Sequence, residues 1–488
     1  MMIADSMVSK KDLVRYLILW GLVILVSKAS AGAALIAFLP ISLCLLSMNR
    51  INGLYFCMLT MIGFMIGNPF FFPKTAIGFA ALRGTLMLLA GLMALRVMGR
   101  RNSRFVSPLL GLLPYLAFMI LPSAQGWAPL VSFLKLALFF FIYMALYTIA
   151  NEVLQSSRAN ERKIRAAILS MACVFVLGSL ALKPFPGLSL MRIQGLTPEQ
   201  AAQLNSLYMG MTNHSQCLGP VVAAIATLVA GDLLFSVRRF NPMHTAILLT
   251  APVLVYWTRS RTAMGTYLVG QMLVLYFFIS SRGVLRRWKA KVFNKVVPLV
   301  MLLLVVAICS PSAHGKIWKF VFKRVQVGTQ IELSDALSSR RGLINHAKAN
   351  FKQSMFIGNG FQVSDDMVNQ KRTRLIDYLS APIEKGVWVY AVLEEGGIVG
   401  FALFAGFQLC AFFLFKKRKA YIAASMLTVI SVSNMGEFAF FSMSYSGGLH
   451  WTMMFAAVIL DGMRVQNEQR RRFQPPPPPP MMMMGPWG

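Results

Sequence analysis

Residues 299–309 read LVMLLLVVAIC and residues 88–95 read LLAGLMAL, and apolar runs of this kind recur along most of the chain. Of the 488 residues 57% are hydrophobic and only 13% charged, with a mean hydropathy of +0.61. That is far more apolar than a soluble globular domain. A soluble α-solenoid would also be helical, but it has no need of repeated runs long enough to cross hydrocarbon. The composition therefore predicts an all-α polytopic membrane protein.

Runs of spanning character fall at 14–28, 32–48, 51–68, 77–98, 107–121, 128–150, 164–182, 207–236, 243–257, 262–280, 294–310, 388–415, 420–438 and 445–461. These are nominally fourteen; 107–121 and 243–257 are short, which leaves about 12–14 transmembrane helices. The expected organisation is helices 1 to 11 over residues 1–310, a large loop over 311–387, C-terminal helices over 388–461, and a basic, Pro/Met-rich disordered tail over 462–488.

The net charge of +31 would suggest nucleic acid in a soluble protein, but its placement argues otherwise. Basic clusters occur at Lys10, Lys11 and Arg15, at Arg50, at Arg100, Arg101 and Arg104, and at Arg158, Arg162, Lys163 and Arg165. They continue at Arg238 and Arg239, in SRGVLRRWKAK, at Lys416 to Lys419 and at Arg470 to Arg472. They fall on every second loop, so the positive-inside rule puts both termini in the cytoplasm and loop 311–387 outside, with no nucleic acid expected. The first apolar run lacks a small-residue cleavage site and reads as a retained signal anchor.

The six cysteines lie inside apolar segments without paired or metal-ligand spacing and read as small core residues. No DxD, HExxH or His/Cys cluster calls for a metal, and GNG at Gly358 to Gly360 lacks the GK[ST] of a phosphate loop. Neither metal nor cofactor is expected.

A few cations break the orientation rule by falling outside or within a span: Arg83, Lys135, Arg192, Arg259, Arg261, Arg340 and Arg341. Alone, each could snorkel to headgroups. Together they suit an anionic ligand such as a diphosphate, which guanidinium holds in a bidentate fork. Carboxylates are also frequent on that side, at Glu332, Asp335, Asp365, Asp366, Asp377, Glu384, Glu394, Glu395 and Glu437. One beside a diphosphate could take a proton from a sugar hydroxyl. Asp365 and Asp366 read as solvated loop charges, and His346 as a solvated or structural residue of a loop helix.

Several fragments, in order, resemble the O-antigen ligase and polysaccharide polymerase superfamily of bacterial envelope glycosyltransferases. MRIQGLTPEQ (191–200) followed by NHSQCLGPVVAAIA (213–226) is similar to its outer loop and the span start that follows. SRTAMGTYLVGQ (260–271) resembles a Ser-Arg span start, and SSRRGLINHAKANFKQSMFIGNGF (338–361) the arginine, helix and Gly-x-Gly-Phe turn. LEEGGIVGFALFAGF (393–407) is similar to the closing Glu-x-Gly-x-x-Gly helix, with Glu395, Gly397 and Gly400 on the pattern. The likeness covers roughly residues 190–415.

The resemblance implies a metal-independent glycosyltransferase of GT-C type in the bacterial inner membrane, working on its outer face. It would move a glycan from an undecaprenyl-diphosphate-linked oligosaccharide to a sugar hydroxyl of a glycan acceptor. Carried over by position, Arg192, Arg261 and Arg340 would hold and stabilise the leaving diphosphate. The placement of charge adds Arg259, Arg341, Arg83 and Lys135 to the binding surface, His214 matches the family's span start beside it, and Glu384 or Glu395 would be the base. Expected partners are membrane lipids and other polysaccharide assembly proteins.

Ligases of the family carry a His-Asn pair shortly before the closing motif, where this chain reads IEKGVW (383–388) with no histidine. The departure favours polymerisation of O-antigen or exopolysaccharide over ligation to lipid A core. A polysaccharide flippase or transporter also explains many spans and intramembrane cations. The chain shows no internal duplication, however, and its large one-sided loop suits a fixed site.

Overall fold

A computed structural model describes residues 10–29, 40–48, 50–72, 76–97, 102–156, 158–190, 207–235, 242–281, 341–363, 365, 385–436, 439–442 and 446–472. Among the described residues every regular element is helical, apart from two isolated bridges, Gly67 with Thr212 and Leu190 with Tyr208. Among the described residues six helices or helical runs are long and apolar enough to cross a membrane: Ser107–Gln125, Pro129–Gln155, Asn160–Ala181, Ser215–Phe235, Arg261–Ser281 and Trp388–Lys417. Ile51–Ile66, Arg83–Met93, Pro242–Trp257 and Tyr421–Ser433 are shorter apolar helices. The protein is thus of the α-helical membrane class; the expected run 294–310 lies outside the described residues.

The helices that matter below are α1 (Pro129–Gln155), α2 (Arg158–Ala172), α3 (Ser215–Phe235), α4 (Pro242–Trp257), α5 (Arg261–Ser281), α6 (Arg341–Gln353), α7 (Trp388–Lys417), α8 (Tyr421–Ser433) and α9 (Ser446–Arg472). Helix α3 is the central post, packed against α4, α5, α8 and α9. Its surroundings leave Cys217 to Asp232 almost wholly buried, while Leu268, Met272 and Leu275 on α5 face outward. Exposed apolar side chains are what a helix facing lipid requires, since lipid tails satisfy them as well as a core does.

A second packing centre is aromatic. Phe139 and Tyr143 of α1 meet Trp451 of α9 edge-on at 5.9 and 5.1 Å between ring centroids. Phe361 from the loop segment and Phe441 enter the same cluster. Edge-to-face contacts add about 0.5–1.5 kcal/mol each beyond burial. They tie the segment after α6 to the membrane helices.

Three elements differ from the sequence expectation. The run 207–236 becomes helical only at Ser215: the Asn68 amide donates to the carbonyls of Leu188 and Gly210, and the Asn213 amide to Ile66 at 2.8 Å, holding 207–214 as a turn. Helix α9 continues to Arg472, so residues 462–472, expected within the tail, are helical. Pairs of Arg464 with Asp461 and Glu468, each 3.1 Å and one turn apart, support that extension. The third difference is in α7, which is not one continuous rod.

Candidate functional site: a broken helix and its charges

Helix α7 is interrupted at Gly397, whose φ of 62° and ψ of −164° are non-helical. This region of backbone space is essentially reserved for glycine. Glycines spaced as Gly397 and Gly400 can let a neighbouring helix approach closely. Gly400 does lie against Phe118, but Gly397 serves a different purpose.

A break inside a membrane helix frees backbone groups that lipid cannot satisfy. Here residues 355–360 satisfy them from both sides. The amides of Asn359 and Gly360 donate to the carbonyls of Glu394 and Glu395 at 2.9 and 3.1 Å. On the far side the amides of Ile398 and Val399 donate to the carbonyls of Met355 and Phe356 at 2.8 and 3.3 Å. The approach is so close that a Cβ on Gly358 or Gly397 would strike the opposing backbone. The Gly-x-Gly turn read in the sequence is therefore a clasp within α7.

The clasp is itself pinned. Ser132 of α1 accepts from the Phe361 amide at 2.7 Å, and Lys135 donates to the Gln362 carbonyl at 3.0 Å. Lys135 is buried, and Glu395, Lys385 and Arg83 all act on it electrostatically.

Charges collect at the break. Lys385 Nζ lies 3.1 Å from Glu395 Oε1 and 3.5 Å from Glu394 Oε2, with all three side chains at most 3% exposed. The contact to Glu395 is an ion pair rather than an aligned hydrogen bond, for neither Lys385 Nζ nor the Glu395 oxygens meets hydrogen-bond geometry. Burial alone would depress the lysine, but Glu394 and Glu395 outweigh it and hold the ammonium above its ordinary pKa.

A polar path leads outward from this node. Glu394 Oε1 accepts from the Asn350 side-chain amide at 3.0 Å, and that nitrogen stands 3.3 Å from His346 Nδ1. His346 Nε2 lies 3.1 Å from Asp365 Oδ2, with 43% of the imidazole exposed. These partners imply the tautomer: Nε2–H faces the carboxylate and Nδ1 accepts. Residues i and i+4 of α6 thus connect an exposed Asp–His pair to a sealed Glu–Lys–Glu cluster.

The site residues expected from sequence fall in several places. Glu395, Lys135 and Arg83 share the electrostatic neighbourhood of the break. Arg259 and Arg261 stand at the head of α5, with Arg259 exposed in a left-handed conformation (φ 52°). Thr262, next to Arg261, lies against Gly436, and the nearby Asn434 carbonyl accepts from the Trp388 amide at 3.1 Å. The head of α5 is thus at the same end of the bundle as Lys385. Arg341 is exposed at the head of α6. His214 sits before α3 and accepts from the Gln216 amide at 3.1 Å, a capping role. Arg192, Arg340 and Glu384 lie outside the described residues.

Lys385 and Asn350 are absent from the residues expected from sequence, and His346 and Asp365 read there as ordinary loop residues. The i, i+4 spacing of His346 and Asn350 was the available signal. Among the described residues no group of three or more His, Cys, Asp or Glu could hold a metal ion. No protein-family model matches this chain, and no curated protein matches it.

Proposed function

We propose that the protein transfers a glycan from a polyprenyl-diphosphate donor to a sugar hydroxyl, as a metal-independent polysaccharide polymerase at the outer face of a bacterial inner membrane. The observation that carries this reading is the unbroken polar path Asp365, His346, Asn350, Glu394, Lys385, Glu395, anchored on the break in α7. Arg83, Lys135, Arg259 and Arg261 supply cations at that end for the diphosphate, where fixed positive charge stabilises the leaving group.

The role of base moves within this reading. Glu395 is 0% exposed and engaged by Lys385, so an acceptor hydroxyl cannot reach it without breaking the ion pair. The half-exposed His346 is the better placed group. Its Nδ1 would take the hydroxyl proton in place of the Asn350 contact, and Asp365 would stabilise the imidazolium formed. Ligation to lipid A core remains the less favoured transfer, for the reason given by the sequence.

The test uses detergent-purified protein and native lipid-linked glycans with a panel of acceptors, reading released polyprenyl diphosphate. Release should fall by about 10²–10⁴-fold in His346→Ala, the usual worth of a general base. No release from wild type with any acceptor sinks the proposal.

One observation favours a second reading. Discontinuous helices bearing charge at the break also build substrate sites in secondary transporters. Proteoliposomes that move lipid-linked glycan across the bilayer while leaving its diphosphate bond intact would select the transporter.

A further inference from the structure

At the end of the bundle opposite the α7 break, an open cleft of about 460 Å³ is lined by Arg104, Leu414, Lys417, Arg418, Lys419, Val465, Glu468 and Gln469. A neighbouring cleft of about 270 Å³ shares Lys419 and Glu468. Four cations thus face a single carboxylate in the larger space.

Two of the local cations are committed to the fold. Arg418 donates to the Arg104 carbonyl and, at 2.8 Å, to Ser107 Oγ. Arg464, which lines the neighbouring cleft, is engaged by Asp461, by Glu468 and by the Lys419 carbonyl. Since Arg464 already holds Glu468, the side-chain charges of Arg104, Lys417 and Lys419 have no carboxylate partner among the described residues.

The turn that presents Lys417 and Lys419 is strained. Lys419 adopts φ 59°, a conformation suited to Gly or Asn at a helix end. The amides of Lys419 and Ala420 close the turn on the carbonyls of Lys416 and Phe415 at 3.1 and 2.8 Å. Orientation of the chain needs positive charge near the membrane boundary, but it needs neither a cleft nor a lysine in this backbone state.

The cleft also sits at a defined depth. It caps the spanning helix α7, whose Leu409 and Phe413, about 60% exposed, present an apolar stripe just before Leu414. A phosphate among Arg104, Lys417 and Lys419 would therefore have its acyl chains beside Leu409 and Phe413. Basic pockets between membrane helices recognise lipid head groups in this way.

We propose that this cleft binds the head group of an anionic phospholipid, with Arg104, Lys417 and Lys419 contacting its phosphate. The proposal is independent of the transfer chemistry at the other end.

The test adds phosphatidylglycerol, phosphatidylcholine or glycerol phosphate to the full chain in uncharged detergent, reading thermal unfolding and lipid retention by native mass spectrometry. Phosphatidylglycerol should raise the unfolding temperature and be retained; the other two should do neither. The triple substitution R104Q/K417Q/K419Q should weaken retention roughly a hundredfold, and R104K/K417R/K419R should restore it. Equal retention of phosphatidylcholine, or full retention by the glutamine variant, overturns the site. Stabilisation by glycerol phosphate alone overturns the lipid assignment, leaving a soluble-anion site. Should the glutamine variant fail to fold, a photoreactive phosphatidylglycerol on wild type decides: crosslinks to 102–106, 414–419 or 465–469 support the proposal, and crosslinks confined elsewhere refute it.

Discussion

Two buried charge clusters occupy opposite ends of the bundle, and they are built differently. At one end Arg165 of α2 binds Asp232 of α3 and, at 3.2 Å, Glu161, while His244 of α4 lies 3.4 Å from Asp232. Every member sits on a regular helix, and each contact joins helices or successive turns. At the other end Lys385 precedes α7, Glu394 and Glu395 stand just before the break in it, and a loop segment fills the gap. The first cluster fastens helices together. The second depends on irregular backbone held in place by many weak contacts, which is the arrangement expected where a membrane protein carries chemistry.

The strongest way to break this comparison is Lys385→Met. It leaves two sealed carboxylates without their cation, and removing one partner of a buried pair costs about 3–5 kcal/mol. Unfolding in detergent should register that loss, and the proposed transfer activity should be lost with it. A cost no greater than that of the Asp232 variant below would remove the distinction between the clusters.

Gly397→Ala comes next. The alanine must hold φ 62° and its Cβ meets the Phe356 backbone, so about 3 kcal/mol is expected. Gly406 in the same helix has open space around it, and Gly406→Ala should be neutral or stabilising within about 1 kcal/mol. Similar melting temperatures for the two variants would mean that α7 runs straight through the motif.

Asp232→Asn should cost less, about 1–3 kcal/mol, because Arg165 keeps Glu161 and the amide still accepts a hydrogen bond. Transfer activity of the surviving protein should match wild type. Reduced turnover at unchanged stability would show that this end also takes part in the chemistry.

The membrane class and the helix positions were legible because apolar runs follow directly from the solvent. The run 128–150 became Pro129–Gln155, and 262–280 became Arg261–Ser281. The charged motif LEEGG was legible as a special position but not as a break. The reason is that Gly397 looks the same in sequence whether it admits a helix or takes a left-handed φ. Only the hydrogen bonds from residues 355–360, about forty positions away, distinguish the two. Lys385 was invisible for the same reason: its partners lie nine and ten residues on, and nothing local marks it as buried. His346 and Asp365 looked solvated, and they are half-exposed; what the sequence concealed was Asn350 joining them to Glu394.

The smallest expected effect concerns pH and isolates the state of Lys385. Its pKa lies above the ordinary 10.5 because two carboxylates outweigh burial. A group whose folded pKa is raised contributes fully below its unfolded value and loses that contribution as pH rises through the folded one. The difference in stability between wild type and Lys385→Met should therefore not shrink between neutral pH and about pH 10, since the carboxylates freed in the variant only lose protons over that range, and it should shrink above that. A difference that already shrinks between pH 7 and 9 would mean that burial had won and that the native lysine is neutral near pH 8. The node would then hold uncompensated carboxylates, and Glu395 would regain its claim as the base. A difference that does not shrink instead keeps Glu395 sealed, as the proposed transfer with His346 as base requires.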